Sequence, residues 1–161
     1  MFELIGLTTF APFLIIIGII LLCSIIGTYN GLVTSYKNIE RSRSLVDVYL
    51  KKRFDLIPNL VECVKGYSKH EKETLAQVIQ MRNPGANASL KEKAAFDAEM
   101  SSVARQINIV AEQYPTLKAD NMFNNLQKSI SEVDENLQDA RSNYNANVAT
   151  FNKAILVFPA S

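Results

Sequence analysis

The chain has 161 residues, of which 48% are hydrophobic, and its 17 basic and 16 acidic side chains give a net charge of +1. This length suits one small domain beside a terminal segment. The near-neutral charge argues against a nucleic-acid-binding protein, which would carry a clustered basic excess. Two cysteines, one histidine and no tryptophan exclude a disulfide framework and argue against a metal site built from several His or Cys ligands.

The first predicted element is an apolar N-terminal helix. Residues 4–36 carry no charge, and Phe10–Gly27 contains a single hydroxyl group. About 20 apolar residues are required to cross a hydrocarbon core of about 30 Å, and Leu4–Leu7 supply the remainder. The alternative is a cleaved signal peptide, which needs a basic N-terminal region that Met1–Glu3 lacks. We therefore predict an uncleaved membrane anchor over residues 1–28, followed by a helical-bundle domain over residues 29–161.

The distribution of basic residues predicts the orientation of this anchor. No Lys or Arg precedes the apolar segment, and Lys37, Arg41 and Arg43 follow it. Basic residues are retained on the cytoplasmic side of a membrane. We therefore predict that the N-terminus lies outside and that the C-terminal domain is cytoplasmic, a compartment in which unpaired cysteines are usual.

Small residues in the anchor are candidates for helix packing. Gly27 and Gly31 form a small-xxx-small step, which Cys23 extends backward. Such faces allow close contact between helices in lipid. Together with Phe10 and Gly18, they form the residue set that we assign to anchoring and helix packing. The pattern favours a homo-oligomer, and local flexibility at the membrane exit is the alternative explanation.

Apolar spacing and chain-breaking residues predict that the remainder is helical. Ser68–Glu71 and Ser89–Glu92 read as capping boxes, and Asn83–Gly85 and Tyr114–Thr116 read as breaks. No segment shows sustained period-two alternation, so we predict no sheet. The predicted fold is all-α, with the anchor helix continuing into an antiparallel up-and-down four-helix bundle with coiled-coil-like packing. The predicted helices cover residues 10–65, 68–82, 89–114 and 118–158.

The first and last predicted helices each contain a point that the pattern leaves open. Pro58 would normally end a helix, but apolar residues continue across it in phase from Leu32 to Val64, which favours one continuous helix that is kinked at Pro58. At the other end, Ala154–Phe158 is free of charge. In an up-and-down path this run returns to the membrane surface, or alternatively it completes the core.

Two arginines, Arg43 and Arg53, fall on the apolar stripe of the first helix. A buried charge is costly unless it is paired. Antiparallel alignment of Asn30 with Phe158 places Arg53 opposite Glu135, and we predict an ion pair between them. The alternative is that both arginine head groups reach past the edge of the stripe into water.

Several distinctive motifs lie along residues 29–159. They are Tyr29-Asn30-Gly31-Leu32-Val33, Arg53-Phe54-Asp55-Leu56-Ile57-Pro58-Asn59-Leu60-Val61-Glu62, Val64-Lys65-Gly66-Tyr67-Ser68-Lys69-His70-Glu71, Glu112-Gln113-Tyr114-Pro115-Thr116-Leu117-Lys118-Ala119, Phe123-x-x-Leu126-Gln127, Ala140-Arg141 with Tyr144-Asn145, Phe151-Asn152 and Phe158-Pro159. With this set the chain resembles the LemA family of bacterial membrane proteins, and the run that begins at Arg53 is the most specific part of the resemblance.

The resemblance implies a single-pass protein of the bacterial inner membrane with an antiparallel helical bundle, an external N-terminus and no established catalytic activity. Some members of that family are linked with membrane zinc metallopeptidases and protein quality control, and a relative occurs in magnetosome formation. Relatives usually continue past the Phe158-Pro159 position. We expect the matching motif residues to be structural. They are Tyr29, Asn30, Arg53, Asp55, Pro58, Asn59, Tyr114, Pro115, Arg141, Tyr144 and Asn145.

Catalytic arrangements are not apparent in the sequence. Because His70 is the single histidine, no Ser-His-Asp or Cys-His arrangement can be built without it. Asp55 and Asn59 share a face beside Pro58, where they either receive a partner's backbone or a cation, or simply settle the turn. We predict no catalytic residue, cofactor or metal.

The predicted function is a non-enzymatic, membrane-anchored scaffold or adaptor that assembles with itself, with the lipid bilayer as one partner. The alternative is a regulatory partner of a membrane metallopeptidase in envelope protein quality control. An enzyme acting on lipid ranks third.

Overall fold

The computed structural model describes residues 2–66, 84–85 and 87–160, with side chains from Pro12 onward. Within these residues the fold is all-α, as predicted, and contains no strand. The helices are α1 (Phe2–Lys65), α2 (Leu90–Gln113), the single-turn α3 (Pro115–Lys118) and α4 (Asn121–Leu156). The predicted helix over residues 68–82, its capping box and His70 lie outside the described residues.

The chain divides into two compact units, which are described separately. The first, the end unit, consists of residues 1–42 and 143–161, and the second, the bundle unit, consists of residues 43–142. Segments of α1 and α4 contribute to both units.

The core of the bundle unit forms where the apolar stripes of its helices meet. On α1 the stripe is buried from Leu50 to Val64, and Leu117 of α3 is fully buried. Burying side chains of this size provides most of the driving force for packing the helices. The core cluster consists of Ile57, Leu60, Val61, Val64, Phe96, Met100, Val103, Ile107, Val110, Ala111, Leu117, Phe123 and Ile130. The buried face of α2 is thus formed by apolar residues at helical spacing, from Phe96 to Val110.

Polar contacts define the helix directions in the bundle unit. Asp47 and Arg53 of α1 bond to Lys93 and Asp97 of α2, respectively, so residue numbers rise together and these two helices run parallel. An up-and-down bundle requires this of its first and third helices. On α4, Gln127 bonds to Asn108 and Arg141 bonds to Asp97, which makes α2 and α4 antiparallel.

Two of the predicted helix boundaries are confirmed. At the start of α2 the Ser89 hydroxyl accepts from the Glu92 backbone N–H at 3.2 Å, and the Ser89 N–H donates to the Glu92 carboxylate at 2.8 Å. These reciprocal bonds satisfy amides that would otherwise lack acceptors. At the other end α2 stops at Gln113, and Pro115 opens α3. Proline is tolerated in the first turn because an N–H group there has no acceptor within the helix.

The start of α4 lies three residues later than predicted, at Asn121. The Asp120 carboxylate accepts from the backbone N–H groups of Met122 and Phe123, at 2.7 and 3.1 Å. This carboxylate therefore caps the helix and determines where it begins. The predicted continuity of α1 is correct, because the helix continues through Pro58 to Lys65.

In the end unit α1 and α4 pair in antiparallel fashion. The rings of Tyr36 and Phe151 lie 6.3 Å apart, and the side-chain amide of Asn147 donates to the Asn38 carbonyl at 3.3 Å. This register agrees with the predicted alignment to within one helical turn. Beyond Phe151 the helix emerges from this contact, and Leu156 and Phe158 are 77% and 84% exposed. The interpretation that Ala154–Phe158 completes a core is therefore wrong.

Candidate functional site

The apolar part of α1 is long and apolar enough to cross a membrane, with a mean hydropathy of 2.4 over its most apolar window. None of that window is buried in the structure, and large side chains from Phe13 to Ile26 are exposed on all faces of the helix. A core helix of a soluble domain would be largely buried. Length, composition and exposure together identify this segment as a candidate membrane span.

The small residues of the span face open space. A Cβ atom built on Gly18, Gly27 or Gly31 would meet nothing within 4 Å, and Cys23 is an exposed free thiol. These positions have room for another helix or for lipid, and their predicted role in helix packing stays a prediction. The side chain of Phe10 lies outside the described part of the structure.

A cluster of four charged residues is the main polar feature of the bundle unit. Arg53 of α1 is at its centre, with a side chain that is only 7% exposed. Its guanidinium donates to the Asp97 carboxylate at 2.6 Å and to the Ser101 hydroxyl at 3.1 Å. The other Asp97 oxygen accepts from Arg141 of α4 at 2.8 Å. Asp97 therefore connects two arginines that come from two different helices.

The fourth member, Asp134 of α4, makes a less well-aligned contact. Its carboxylate lies 2.8 Å from Nε of Arg53, but the pair lacks hydrogen-bond geometry, and neither atom has another hydrogen-bond partner. Burial raises the pKa of Asp134 above its usual value of 3.8, the nearby Asp97 also raises it, and the attraction of Arg53 and Arg141 opposes that rise. Asp97 is consequently the stronger counterion of Arg53.

The charges of this cluster cancel, which limits its chemistry. Two guanidinium groups face two carboxylates beside an open groove of about 360 Å³ that Leu137 and Gln138 also line. Both arginines are paired with carboxylates, so the cluster has no net charge that would attract an added anion. Within the described residues no group of three or more His, Cys, Asp or Glu side chains is placed to hold a metal ion. The arrangement is suited to joining α1, α2 and α4.

The predicted partner of Arg53 requires correction. Arg53 pairs with Asp134 and Asp97 rather than with Glu135, which is exposed. The register of α1 against α4 differs by one residue from the predicted alignment, and consecutive residues on a helix point about 100° apart. Arg43 is exposed, as the alternative interpretation stated, whereas Arg53 is not.

The sequence did not single out three residues of the buried ion pairs, namely the carboxylates of Asp97 and Asp47 and the ammonium group of Lys93. Asp97 follows the stripe residue Phe96 directly, and this position beside an apolar stripe was the available signal. The second buried pair joins Lys93 of α2 to Asp47 of α1 at 2.6 Å, with Lys93 buried. Neither residue stood out, because a single charge between apolar positions is usual on an exposed helix edge.

The family-motif residues do not form one site. Asp55 and Asn59 are exposed. The Asn59 side-chain amide donates to the Asp55 backbone carbonyl at 3.4 Å, and this bond supports the helical turn that contains Pro58. Several other motif residues are exposed, namely Tyr29, Asn30, Pro115, Arg141 and Asn145, and the partly buried ones are Pro58, Tyr114 and Tyr144. The structure brings Arg53 and Arg141 together through Asp97.

Comparison with known proteins gives the family directly. The model of the LemA family matches residues 42–161, which is more than half of the chain. The chain belongs to the LemA family.

Individual relatives are more distant. Protein LemA of Metamycoplasma hominis is 26% identical over 135 residues, which cover 83% of this chain and 62% of that protein. Magnetosome protein MamQ of Magnetospirillum gryphiswaldense is 23% identical over 158 residues, covering 81% and 58%. Magnetosome protein MamQ 2 of Paramagnetospirillum magneticum is 22% identical over 177 residues, covering 91% and 65%. This LemA-family chain thus spans less than two thirds of the length of these relatives.

Proposed function

We propose that this protein is a non-enzymatic helical scaffold, anchored in the bacterial inner membrane by residues 1–28 and assembled with copies of itself. The observation that carries the proposal is the exposure of the apolar window of α1, none of which is buried, whereas the described helices α2 and α4 do bury apolar residues. Exposed apolar surface of this extent is stable only against lipid or another protein.

Further support comes from the charges and from the relatives. The first bases after the span, Lys37 and Arg41, are exposed, which suits the cytoplasmic side of a membrane. Two of the relatives named above are magnetosome proteins, and none of the names denotes an enzyme. The balanced ion-pair cluster around Arg53 supports a structural role for the bundle unit.

Membrane anchoring is tested by placing charge in the span. Ile16→Arg combined with Ile20→Arg puts two guanidinium groups near its centre, where each costs about 2.5–3.5 kcal/mol. The full chain should resist alkaline carbonate extraction from bacterial membranes, and the double variant should be released. Ile109→Arg together with Leu90→Arg, which charges two exposed apolar positions of α2, is the matched control and should stay in the membrane. Release of the unaltered chain, or a mature mass lacking the span, would contradict anchoring.

Self-assembly is tested on the same protein purified in mild detergent. Light scattering coupled to size-exclusion chromatography should give one discrete homo-oligomer, and a bulky substitution such as Gly27→Leu should shift it toward the monomer if the small residues pack. A monomeric wild-type chain would refute the scaffold. A stoichiometric metallopeptidase in the purified complex would instead support the regulatory alternative.

A further inference from the structure

The exposed apolar residues at the C-terminal end of α4 form a second apolar surface outside the span. We call Ile155–Phe158 the C-terminal apolar tip. Its four side chains are all exposed, and Leu156 and Phe158 are the most exposed of them, at 77% and 84%. Four adjacent exposed apolar side chains in one short run mark an interaction surface more often than a random feature of a soluble face.

The helix pairing in the end unit gives the level of this tip along α1. Tyr36 lies beside Phe151, and the two helices run in opposite directions. Leu156, five residues after Phe151, is therefore level with Gly31, and both lie about 7.5 Å along their helices from that contact. Gly31 itself is only about 6 Å beyond Gly27, the last residue of the apolar run Phe10–Gly27.

That level matches the headgroup layer of a bilayer. The hydrocarbon core is about 30 Å thick and the whole bilayer about 40–45 Å, so each headgroup layer extends about 5–8 Å beyond the core. If Gly27 marks the edge of the hydrocarbon, Leu156 lies in this layer, and Phe158 follows it by two residues. Exposed Tyr29 of α1 is at the same level, and aromatic rings are enriched there.

The charge pattern of α4 suits the same location. Residues 154–160 carry no charged side chain, so no charged side chain of this run would have to enter the interface with the tip. Lys153, the last charged residue of α4, is exposed, and a basic residue beside the membrane is attracted to anionic headgroups. Apolar residues followed by a base on the water side are the arrangement of an interfacial anchor.

We propose that the C-terminal apolar tip inserts into the lipid interface beside the exit of the span, as a second membrane contact. The proposal rests on the membrane anchoring proposed above. Insertion would hold α4 against the membrane and would couple the bundle helices to the bilayer at two points of the chain.

The absence of tryptophan from the sequence permits a direct test, because a single introduced Trp is a unique fluorescent reporter. Three variants of the full chain are reconstituted in vesicles that contain anionic lipid. Phe158→Trp reports the tip, Ile19→Trp reports the span, and Ile109→Trp reports an exposed apolar position on α2. Each is excited where tyrosine does not absorb, and quenching by brominated lipids is measured.

The proposal predicts that Phe158→Trp is blue-shifted and is quenched more strongly by lipids brominated near the headgroup than by lipids brominated near the chain ends. Ile19→Trp should show the reverse order, and Ile109→Trp should be quenched far less than either. Quenching of Ile19→Trp without quenching of Phe158→Trp overturns the tip contact and leaves the anchor standing. No quenching of Ile19→Trp overturns the anchor itself. A blue-shifted Phe158→Trp that brominated lipids do not quench also overturns the proposal, because it shows that the tip is buried against protein and not in lipid.

Discussion

Asp97→Asn is expected to destabilise the bundle unit more than any other single charge removal in the cluster. The Arg53 side chain is 7% exposed and that of Asp97 is 14% exposed, so the variant leaves a buried guanidinium without its best counterion. Removing one partner of a buried ion pair typically costs about 3–5 kcal/mol. Asp134 remains at 2.8 Å from Arg53, which favours the lower limit of about 3 kcal/mol.

The other contacts of the cluster add little to this figure. The Arg141 side chain is 43% exposed, so its bond to Asp97 contributes at most about 1 kcal/mol. Asp134→Asn is expected to change the free energy of unfolding by less than about 1 kcal/mol, because that carboxylate is half exposed and its contact is poorly aligned. Glu135→Gln is the matched control, since Glu135 is exposed, and it should stay within about 0.5 kcal/mol.

The measurement is urea unfolding of the full chain in detergent, followed by circular dichroism. A second variant tests the physical cause. If the cost of Asp97→Asn arises from the stranded guanidinium, adding Arg53→Met should recover at least about 1 kcal/mol, because replacing a buried ion pair by apolar groups is often neutral or stabilising. An Asp97→Asn variant as stable as Glu135→Gln, or a double variant less stable than the single one, would refute the reasoning.

Three further predictions concern pH, capping and proline. Because the pKa of Asp134 is raised in the folded chain, its favourable contribution is present below pH 3.8 and is lost as the pH rises through the folded pKa. The stability of the wild type relative to Asp134→Asn, measured by urea unfolding at several pH values, should therefore fall over that interval, and a constant difference would contradict the shift. Ser89→Ala removes the capping box of α2 and should cost about 1 kcal/mol; exposed Ser131→Ala within α4 is the control, and equal stabilities would argue against the cap. Pro58→Ala supplies the missing donor inside α1 and should raise the melting temperature, with a gain of about 1–2 kcal/mol, whereas Pro115→Ala at the start of α3 should give no gain.

The helices were predictable because their signals are local. Apolar spacing predicted that these segments are helical, and the Ser89–Glu92 pattern predicted where α2 begins. The in-phase stripe across Pro58 correctly predicted that α1 continues. The start of α4 was missed because Lys118–Asp120 has only the small Ala119 as an apolar residue, so the pattern there could not separate α3 from α4.

The partners of Arg53 were not predictable at the same level, because they depend on the rotation of each helix. An alignment correct to one residue selected Glu135, while the carboxylate on the facing side belongs to Asp134. Asp97 could not be reached from the pairing of the first and last helices, since it lies on α2. Predicting which side chains pair between helices requires both the register and the rotation of each helix. Apolar spacing gives the two only approximately.

The burial of α1 changes along its length in a way that composition alone does not distinguish. From Phe13 to Ile26 apolar residues lie on every face and are exposed, whereas from Leu50 to Val64 they lie on one stripe and are buried. A helix that is apolar on all faces requires an apolar surround, while a one-sided stripe requires only partner helices. A buried cation such as Arg53 fits the second case, because partner helices supply its carboxylates. The position of Arg53 therefore marks α1 as a bundle helix at that point, and the exposed apolar residues from Phe13 to Ile26 mark the part of the same helix that has lipid as its proposed surround.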